Sequence, residues 1–469
     1  MTEPAAAGDQ ELTRGLRGRH IQLIAIGGVI GVGLFLGSAK AIQGAGPGLI
    51  VAYAVAGVVI FFVMRALGEL LVYRPVAGAF AEYAEEFIGS FAGFATGWTY
   101  WFSWVVVGMA ELTAIGIYVH YWYPQIPQWV TALCVLLMLY GSNLLAVRTF
   151  GELEFWFAVI KVATIVLFIV AGLVVIFFDV GALGPTAGFH NLWSHGGLFP
   201  FGVLGVLLAL QMVMFAYAGV EVIAVTAGEA EHPARTLPTA INGVILRILI
   251  FYIGALVIVM SLVPWRELSP VISPFVVVFD KIGIPGAGHF INFVVITAAA
   301  SSCNTGLYST GRMLYSTARR GHGPQCFARL NAQHVPSMGI HVSAALMLIG
   351  VVLNAIVPEE VFTWVTSISL LATLWTWIAI VVAHRRYRLA VAQGTARPVA
   401  FRMPGAPWAN WLIIGFLLVV TGLLALDSGT RVALYVGPIW LCVLVIGYLR
   451  MKAWTPRAAA VTAAGDLPE

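Results

Sequence analysis

Twelve apolar runs decide what this chain can fold into. They lie at 20–43, 48–72, 91–119, 128–147, 155–178, 201–227, 240–263, 286–316, 340–357, 361–383, 409–427 and 431–449. A helix needs about 20 largely apolar residues to cross the hydrocarbon of a bilayer, and these runs approach or exceed that length. In lipid there is no water for backbone N–H and C=O groups, so a spanning segment must satisfy them internally, as a helix does. Of the 469 residues, 60% are hydrophobic and only 10% are charged. A soluble domain carries roughly 25% charged residues. So much apolar side chain cannot be covered in water. The expectation is an all-α integral membrane protein with 12 transmembrane helices, short loops and no inserted soluble domain.

Orientation follows from the distribution of lysine and arginine between the loops. One set of loops and ends holds Arg14, Arg17, Arg19, Arg74, Arg148, Arg235, Arg319, Arg320, Arg329, Arg385, Arg386, Arg388, Arg397, Arg402, Arg450, Lys452 and Arg457. The opposite set holds only Lys40, Arg266, Lys281 and Arg431. The first set, which includes both termini, is therefore expected in the cytoplasm. The stretch "MTEPAAAGDQELTRGLRGRH" lacks the basic-then-apolar order of a cleaved leader, so the first run is expected to stay as a span. A net charge of +4, without a basic cluster interleaved with aromatics, gives no reason to expect a nucleic-acid partner. Cys134, Cys303, Cys326 and Cys442 form no CxxC pair, and three of them sit in apolar runs as small hydrophobes. His190 and His195 in "HNLWSHGG" match no metal-ligand spacing and fit an interfacial outer loop. No metal or cofactor is expected.

Two runs are weakened as helices. "GGVIGVGLFLGSAK" carries Gly27, Gly28, Gly31, Gly33 and Gly37, and each glycine is roughly 1 kcal/mol worse than alanine in a helix. "FAYAGVEVIAVTAGEA" carries Gly219 and Glu221 in mid-span and ends at Gly228 and Glu229. Close packing is one explanation of the first, because Gly27/Gly31 and Gly33/Gly37 are small-xxx-small pairs. The other is an unwound backbone at Gly31, Val32 and Gly33. Unwound backbone at membrane depth must face protein or a polar cavity. N–H groups freed at the start of a half-helix favour an anion, and C=O groups freed at an end favour a cation. A zwitterionic amino acid needs both. The second weak point falls five helices after the first, as two inverted five-helix repeats would place it. That symmetry favours binding for Gly31 and Gly33 and leaves Gly27, Gly28 and Gly37 to packing.

Ionisable residues within spans are costly and are functional suspects by default. Arg65 and Glu69 in "MRALGEL" are four apart and are expected to pair with each other. Glu152 and Glu154 stand at the start of the fifth run, within reach of the interface, and Arg247 is placed to snorkel. Lys161 in "FWFAVIKVATIV", Glu111 in "GMAELTAIG" and Glu221 lie deeper. These three are candidates to gain and lose a proton. A snorkelling Lys161, or one paired with Glu111 or Glu221, is the structural alternative.

At these residues the chain resembles a known family. "RHIQLIAIGGVIGVGLFLGSAKAIQGAGP", "FVMRALGELL", "GWTYWF", "FGELEFWFAVIKV", "AGVEVIAVTAGEAEHP" and "SPFVVVFDKIGIPGAGHFINFVVITAAASSCNTGLYSTGRMLY" occur in order between about Arg14 and Arg457. They are similar to blocks of bacterial amino-acid permeases of the amino acid–polyamine–organocation superfamily, among them permeases for threonine/serine, proline and D-serine/D-alanine/glycine. The resemblance implies a five-plus-five inverted repeat with discontinuous helices 1 and 6, two extra C-terminal helices, and alternating access. It divides the chain into a tail at 1–19, a ten-helix transport core at 20–383, a loop at 384–408, helices 11 and 12 at 409–449, and a tail at 450–469. It implies a substrate carboxylate on the amides of Gly31, Val32 and Gly33. The ammonium would lie on carbonyls of Val29, Phe215 and Ala218, with the Phe215 ring over the substrate and Gly219 at the second break. Lys161 matches a helix 5 lysine that stands where sodium-coupled members of the fold bind a cation, and Glu221 matches a helix 6 acid implicated in proton linkage. Val32 departs from the pattern, since many relatives have a small hydroxyl residue there.

The reading that joins these observations is a secondary transporter in a bacterial inner membrane. It would import a small neutral amino acid (threonine/serine, alanine/glycine/D-serine or proline class) by proton symport. Apolar Val29, Ile30 and Val32 are expected to crowd the site, with Ser301, Ser302, Cys303 and Asn304 offering polar contacts. Glu111 keeps γ-aminobutyrate and basic substrates open, an aromatic substrate is a further alternative, and exchange without proton coupling is the rival mechanism. No HExxH, GxSxG or paired-aspartate signature points to an enzyme, and no attached domain points to a sensor. The oligomeric state stays open.

Overall fold

The structure, a computed structural model, describes residues 30–76, 78–144, 147–225, 233–270, 272–283 and 285–465. Gly27, Gly28, Val29, Gly228 and Glu229 lie outside the described residues. The described residues form helices and connecting turns, with no β-strand among them. Seven helical segments are long and apolar enough to cross a membrane, and Gly202–Ala216, Ile248–Leu262 and Trp408–Leu423 are shorter apolar helices.

In chain order a π-helical turn (Gly33–Gly37) leads into α1 (Ser38–Ala45), followed by α2 (Leu49–Tyr73), α3 (Ala79–Phe87), α4 (Ser90–His120), α5 (Gln128–Asn143) and α6 (Val147–Phe178). Then come α7 (Gly202–Ala216), α8 (Val222–Val225), α9 (Pro233–Asn242), α10 (Val244–Arg247), a π-helical stretch (Ile248–Gly254) and α11 (Ala255–Leu262). The rest is α12 (Pro274–Ile282), α13 (Ala287–Arg319), α14 (Ser337–Ile356), α15 (Val361–Ala392), α16 (Trp408–Leu423) and α17 (Val432–Gly465).

The middle of the molecule is α4, α13 and α15. In its most apolar stretch α4 is 83% buried and α13 is 78% buried, against 11% for Val432–Lys452 of α17. A helix apolar on all sides but covered on one face leaves the other face to lipid. Packing and hydrogen bonds, rather than water exclusion, hold helices together in a bilayer. Gly306 of α13 makes room for the Trp104 ring of α4, since a Cβ there would lie 2.9 Å from Trp104 Cε3. Asn143 Nδ2 donates to Asn304 Oδ1 at 2.7 Å, and Asn354 Nδ2 donates to Thr113 Oγ1 at 2.7 Å. Trp101 Nε1 donates to Ser343 Oγ at 2.9 Å.

Several elements differ from the apolar runs. The segments containing α3 and α12 read as loops but form short helices, and α15 continues past 383 to Ala392. The expected Arg65–Glu69 pair is replaced by longer-range bonds. Glu69 contacts His384 Nε2 at 2.9 Å and accepts from Arg388 Nη1 at 3.0 Å and from the Met403 N–H at 2.6 Å. Arg65 instead donates to Asn242 Oδ1 at 2.8 Å and to the Arg402 carbonyl, and lies 3.8 Å over the Phe401 ring. Glu69 is buried, so it needs partners that meet it inside the protein. The added turns of α15 supply His384 and Arg388. This cluster ties α2 to α15 and to the segment before α16.

Candidate functional site

The π-helical turn that leads into α1 starts inside the protein. Ile30 and Gly31 lie in a bend, Val32 has helical torsions (φ −62°, ψ −23°), and the π turn begins at Gly33. The first N–H groups of any helix lack an internal partner and attract an anion. Here the Val32 N–H donates to Glu111 Oε2 of α4 at 3.3 Å. The carbonyl of Ile30 accepts from Lys161 Nζ of α6 at 3.3 Å. A Cβ at Gly31 would lie 2.6 Å from Glu111 Oε1 and 3.0 Å from Ser302 Oγ. A Cβ at Gly33 would lie 2.5 Å from the Cα of Ala216, so Gly33 lets helix 1 touch the backbone of α7. Any side chain at 33 meets that backbone first.

The second break runs from Tyr217 to Glu221, between α7 and α8. Gly219 has φ +101°, a conformation that residues with a Cβ rarely adopt. Its N–H donates to both carboxylate oxygens of Glu221 at 3.3 Å, and Trp377 Nε1 of α15 donates to Glu221 Oε2 at 3.2 Å. Tyr252 Oη donates to the Ala216 carbonyl at 2.9 Å, and Tyr217 Oη donates to the Tyr53 carbonyl at 2.9 Å. Side chains thus take over backbone groups that the break releases.

Between the start of the π turn and the break after α7 lies a cavity of about 10 Å³. Gly31, Gly33, Phe215, Ala216 and Ala218 form one side, and Trp104, Val107, Glu111 and Ser302 form the other. Phe215 also lines a vestibule of about 210 Å³, together with Lys40, Gln211, Met212, Thr363 and Asp427. Phe215 therefore borders both spaces. Gly219 and the side chains of Ile30 and Val32 do not line the cavity, and Val32 reaches it only through its N–H. Of the four polar candidates in α13, Ser302 lines it. Ser301 Oγ donates to Glu154 Oε1 at 2.6 Å, Asn304 bonds Asn143, and Cys303 Sγ lies 4.0 Å from the Gly108 carbonyl.

Lys161 is wholly buried, and its Nζ lies 4.0 Å from Glu154 Oε1. Glu154 is equally buried, so its carboxylate meets protein groups rather than solvent. The ion pair expected with Glu111 or Glu221 is made with Glu154, and Glu111 also faces the lysine. Asn304 and Thr305 face the Glu154 carboxylate, yet Oε2 closes no hydrogen bond.

A family model described as "Amino acid permease" matches residues 20–459. The chain belongs to the amino acid permease family, within the amino acid–polyamine–organocation superfamily. This permease is 50% identical over 453 residues to an uncharacterized amino acid permease, YtnA, of Bacillus subtilis (strain 168), covering 97% of this chain and 98% of the relative. It is 47% identical to a probable threonine/serine transporter, YbxG, of the same organism, over 94% of this chain and 95% of the relative. The aromatic amino acid transport protein AroP of Escherichia coli O6:H1 is 43% identical over 94% of this chain and 96% of its own length. The permease is a transporter and not an enzyme. Three wall residues of its cavity, Trp104, Val107 and Ala216, carry no role in the sequence analysis, and the first two had a signal. Their signal was their spacing, since they stand seven and four positions before Glu111 and so share its helix face.

Proposed function

We propose that this permease imports a small neutral amino acid together with a proton, by alternating access across a bacterial inner membrane. The observation that carries the reading is the small cavity between the start of the π turn and the break after α7, with the Val32 amide on its wall and a buried lysine bonded to the Ile30 carbonyl behind it. Twelve spans in a five-plus-five inverted repeat with two further helices, and cytoplasmic termini, complete it. The substrate carboxylate takes the amides of Gly31, Val32 and Gly33. Its ammonium takes carbonyls of Val29, Phe215 and Ala218, and Gly219 permits the turn that presents them. Phe215 closes the path to the vestibule once substrate is in place. Lys161, Glu111 and Glu221 exchange the proton. The membrane potential supplies about 2.3 kcal/mol per charge per 100 mV.

The small-substrate class draws support from the tight apolar wall of Trp104, Val107 and Phe215 and from the printed function of the threonine/serine relative. The aromatic amino acid relative favours a second reading, in which the Phe215 ring swings aside and stacks on an aromatic substrate. Uptake by proteoliposomes of each common L- and D-amino acid, with and without an imposed pH gradient, tests both. Accumulation of threonine, serine, alanine or proline that follows the gradient is expected. Preference for phenylalanine, tyrosine or tryptophan would select the second reading. Counterflow without gradient-driven uptake would replace symport with exchange.

A further inference from the structure

A substrate carboxylate on the helix 1 amides must contend with a carboxylate already there. Glu111 Oε2 accepts the Val32 N–H at 3.3 Å, and Oε1 lies 2.6 Å from where a Gly31 side chain would begin. The Ser302 hydroxyl faces the same carboxyl group beside Gly31. Glu111 is 2% exposed. The cavity beside it, about 10 Å³, is no larger than one water requires. Even the smallest amino acid exceeds that, so something must move before a substrate enters.

We propose that Glu111 is an internal stand-in for the substrate, its carboxylate capping the Val32 amide in the empty permease and yielding that amide to the carboxylate of the incoming amino acid. This rests on the transport reading above. Two carboxylate anions on one amide would repel strongly in a low-dielectric interior, so one must leave or lose its charge. Glu111 does both: it withdraws and takes up one proton as it does so. The charged and titratable groups facing it are Lys161 of α6, Cys303 of α13 and Tyr118 on its own helix. Among the described residues, the start of helix 1 brings the Val32 N–H to it. Protonation of Glu111 removes the competitor for the amide, so proton and substrate each promote binding of the other, as linkage requires. The exchange also selects ligands, because an amine without a carboxylate has nothing to put in Glu111's place.

The test is equilibrium binding of radiolabelled L-threonine, L-alanine and L-phenylalanine to the purified full-length permease, at neutral and acidic pH. Wild type is expected to bind more tightly on acidification. Glu111→Gln, which keeps the shape but not the anion, is expected to bind about tenfold tighter than wild type at neutral pH and to lose the pH dependence. Weaker binding by Glu111→Gln would overturn the inference by showing that the carboxylate holds the ammonium. Unchanged affinity and pH profile would overturn it too. A second measurement needs no variant: adding the bound amino acid to wild type in weak buffer should draw protons from solution. Binding without proton uptake would defeat the inference while leaving transport intact. Failure of wild type to bind any common amino acid would instead overturn the transport reading, and this inference with it.

Discussion

Gly31 and Gly33 stand two residues apart and are required by different neighbours. A side chain at 33 meets the Ala216 backbone, whereas one at 31 meets the Glu111 carboxylate. Gly33→Leu is therefore expected to abolish folded protein, seen as loss of the monodisperse peak in size-exclusion chromatography. Gly31→Ala is expected to fold, because a carboxylate can shift where a backbone cannot, and to weaken amino-acid binding several-fold. Lys161 and Glu154 form a buried pair, and removing one partner of such a pair typically costs about 3–5 kcal/mol. Lys161→Ala should lower the thermal midpoint in detergent and abolish proton-driven accumulation, while counterflow persists in part. The double variant Lys161→Met, Glu154→Leu separates stability from coupling. An apolar replacement of a whole buried pair is often neutral or stabilising. The midpoint should recover, and accumulation should not. Recovery of both would show that Lys161 is only structural.

At the scale of elements, the break between α7 and α8 is held from three sides. Gly219 supplies the positive φ, Glu221 caps its N–H, and Trp377 fixes Glu221 to α15. Gly219→Ala must adopt a strained backbone, at a cost on the order of 1–3 kcal/mol. It should reduce both the thermal midpoint and the uptake rate. Trp377→Phe keeps the ring volume and removes one donor to Glu221. It should leave the protein folded and change the pH dependence of uptake, measured as initial rate against external pH. An unchanged profile would return Glu221 to a purely capping role. The position of this break was readable, because glycine and glutamate in mid-span are both unfavourable in a lipid-exposed helix. Its supports were not, because Trp377 stands 156 positions away from Glu221 and nothing local marks the pairing.

Across the whole molecule, the Glu69 cluster joins α2, α15 and the segment before α16. Glu69→Ala leaves Arg388 without its anion and frees the Met403 amide, and is expected to lower the thermal midpoint more than Arg65→Ala, whose guanidinium bonds at an exposed position. Equal effects would argue against the cluster as the main tie between these elements. Sequence alone determined the class of solvent, the helical content and the place where the chain breaks at Gly219. Each follows from local chemistry, since an apolar run must satisfy its own backbone in lipid and a mid-span glycine or carboxylate marks a locally unfavourable helix. Family membership was also legible, in the ordered blocks. Tertiary structure alone decided the partners. Spacing of four suggested Arg65 for Glu69, but burial drew in His384 and Arg388. The start of the fifth run left Glu154 without a named partner, and packing placed it against Lys161. Gly31 and Gly33 looked equivalent, and only the approach of α4 and α7 assigned one to a carboxylate and the other to a backbone. Buried charges and close contacts answer to whichever element arrives beside them, and distance along the chain carries no record of that arrival.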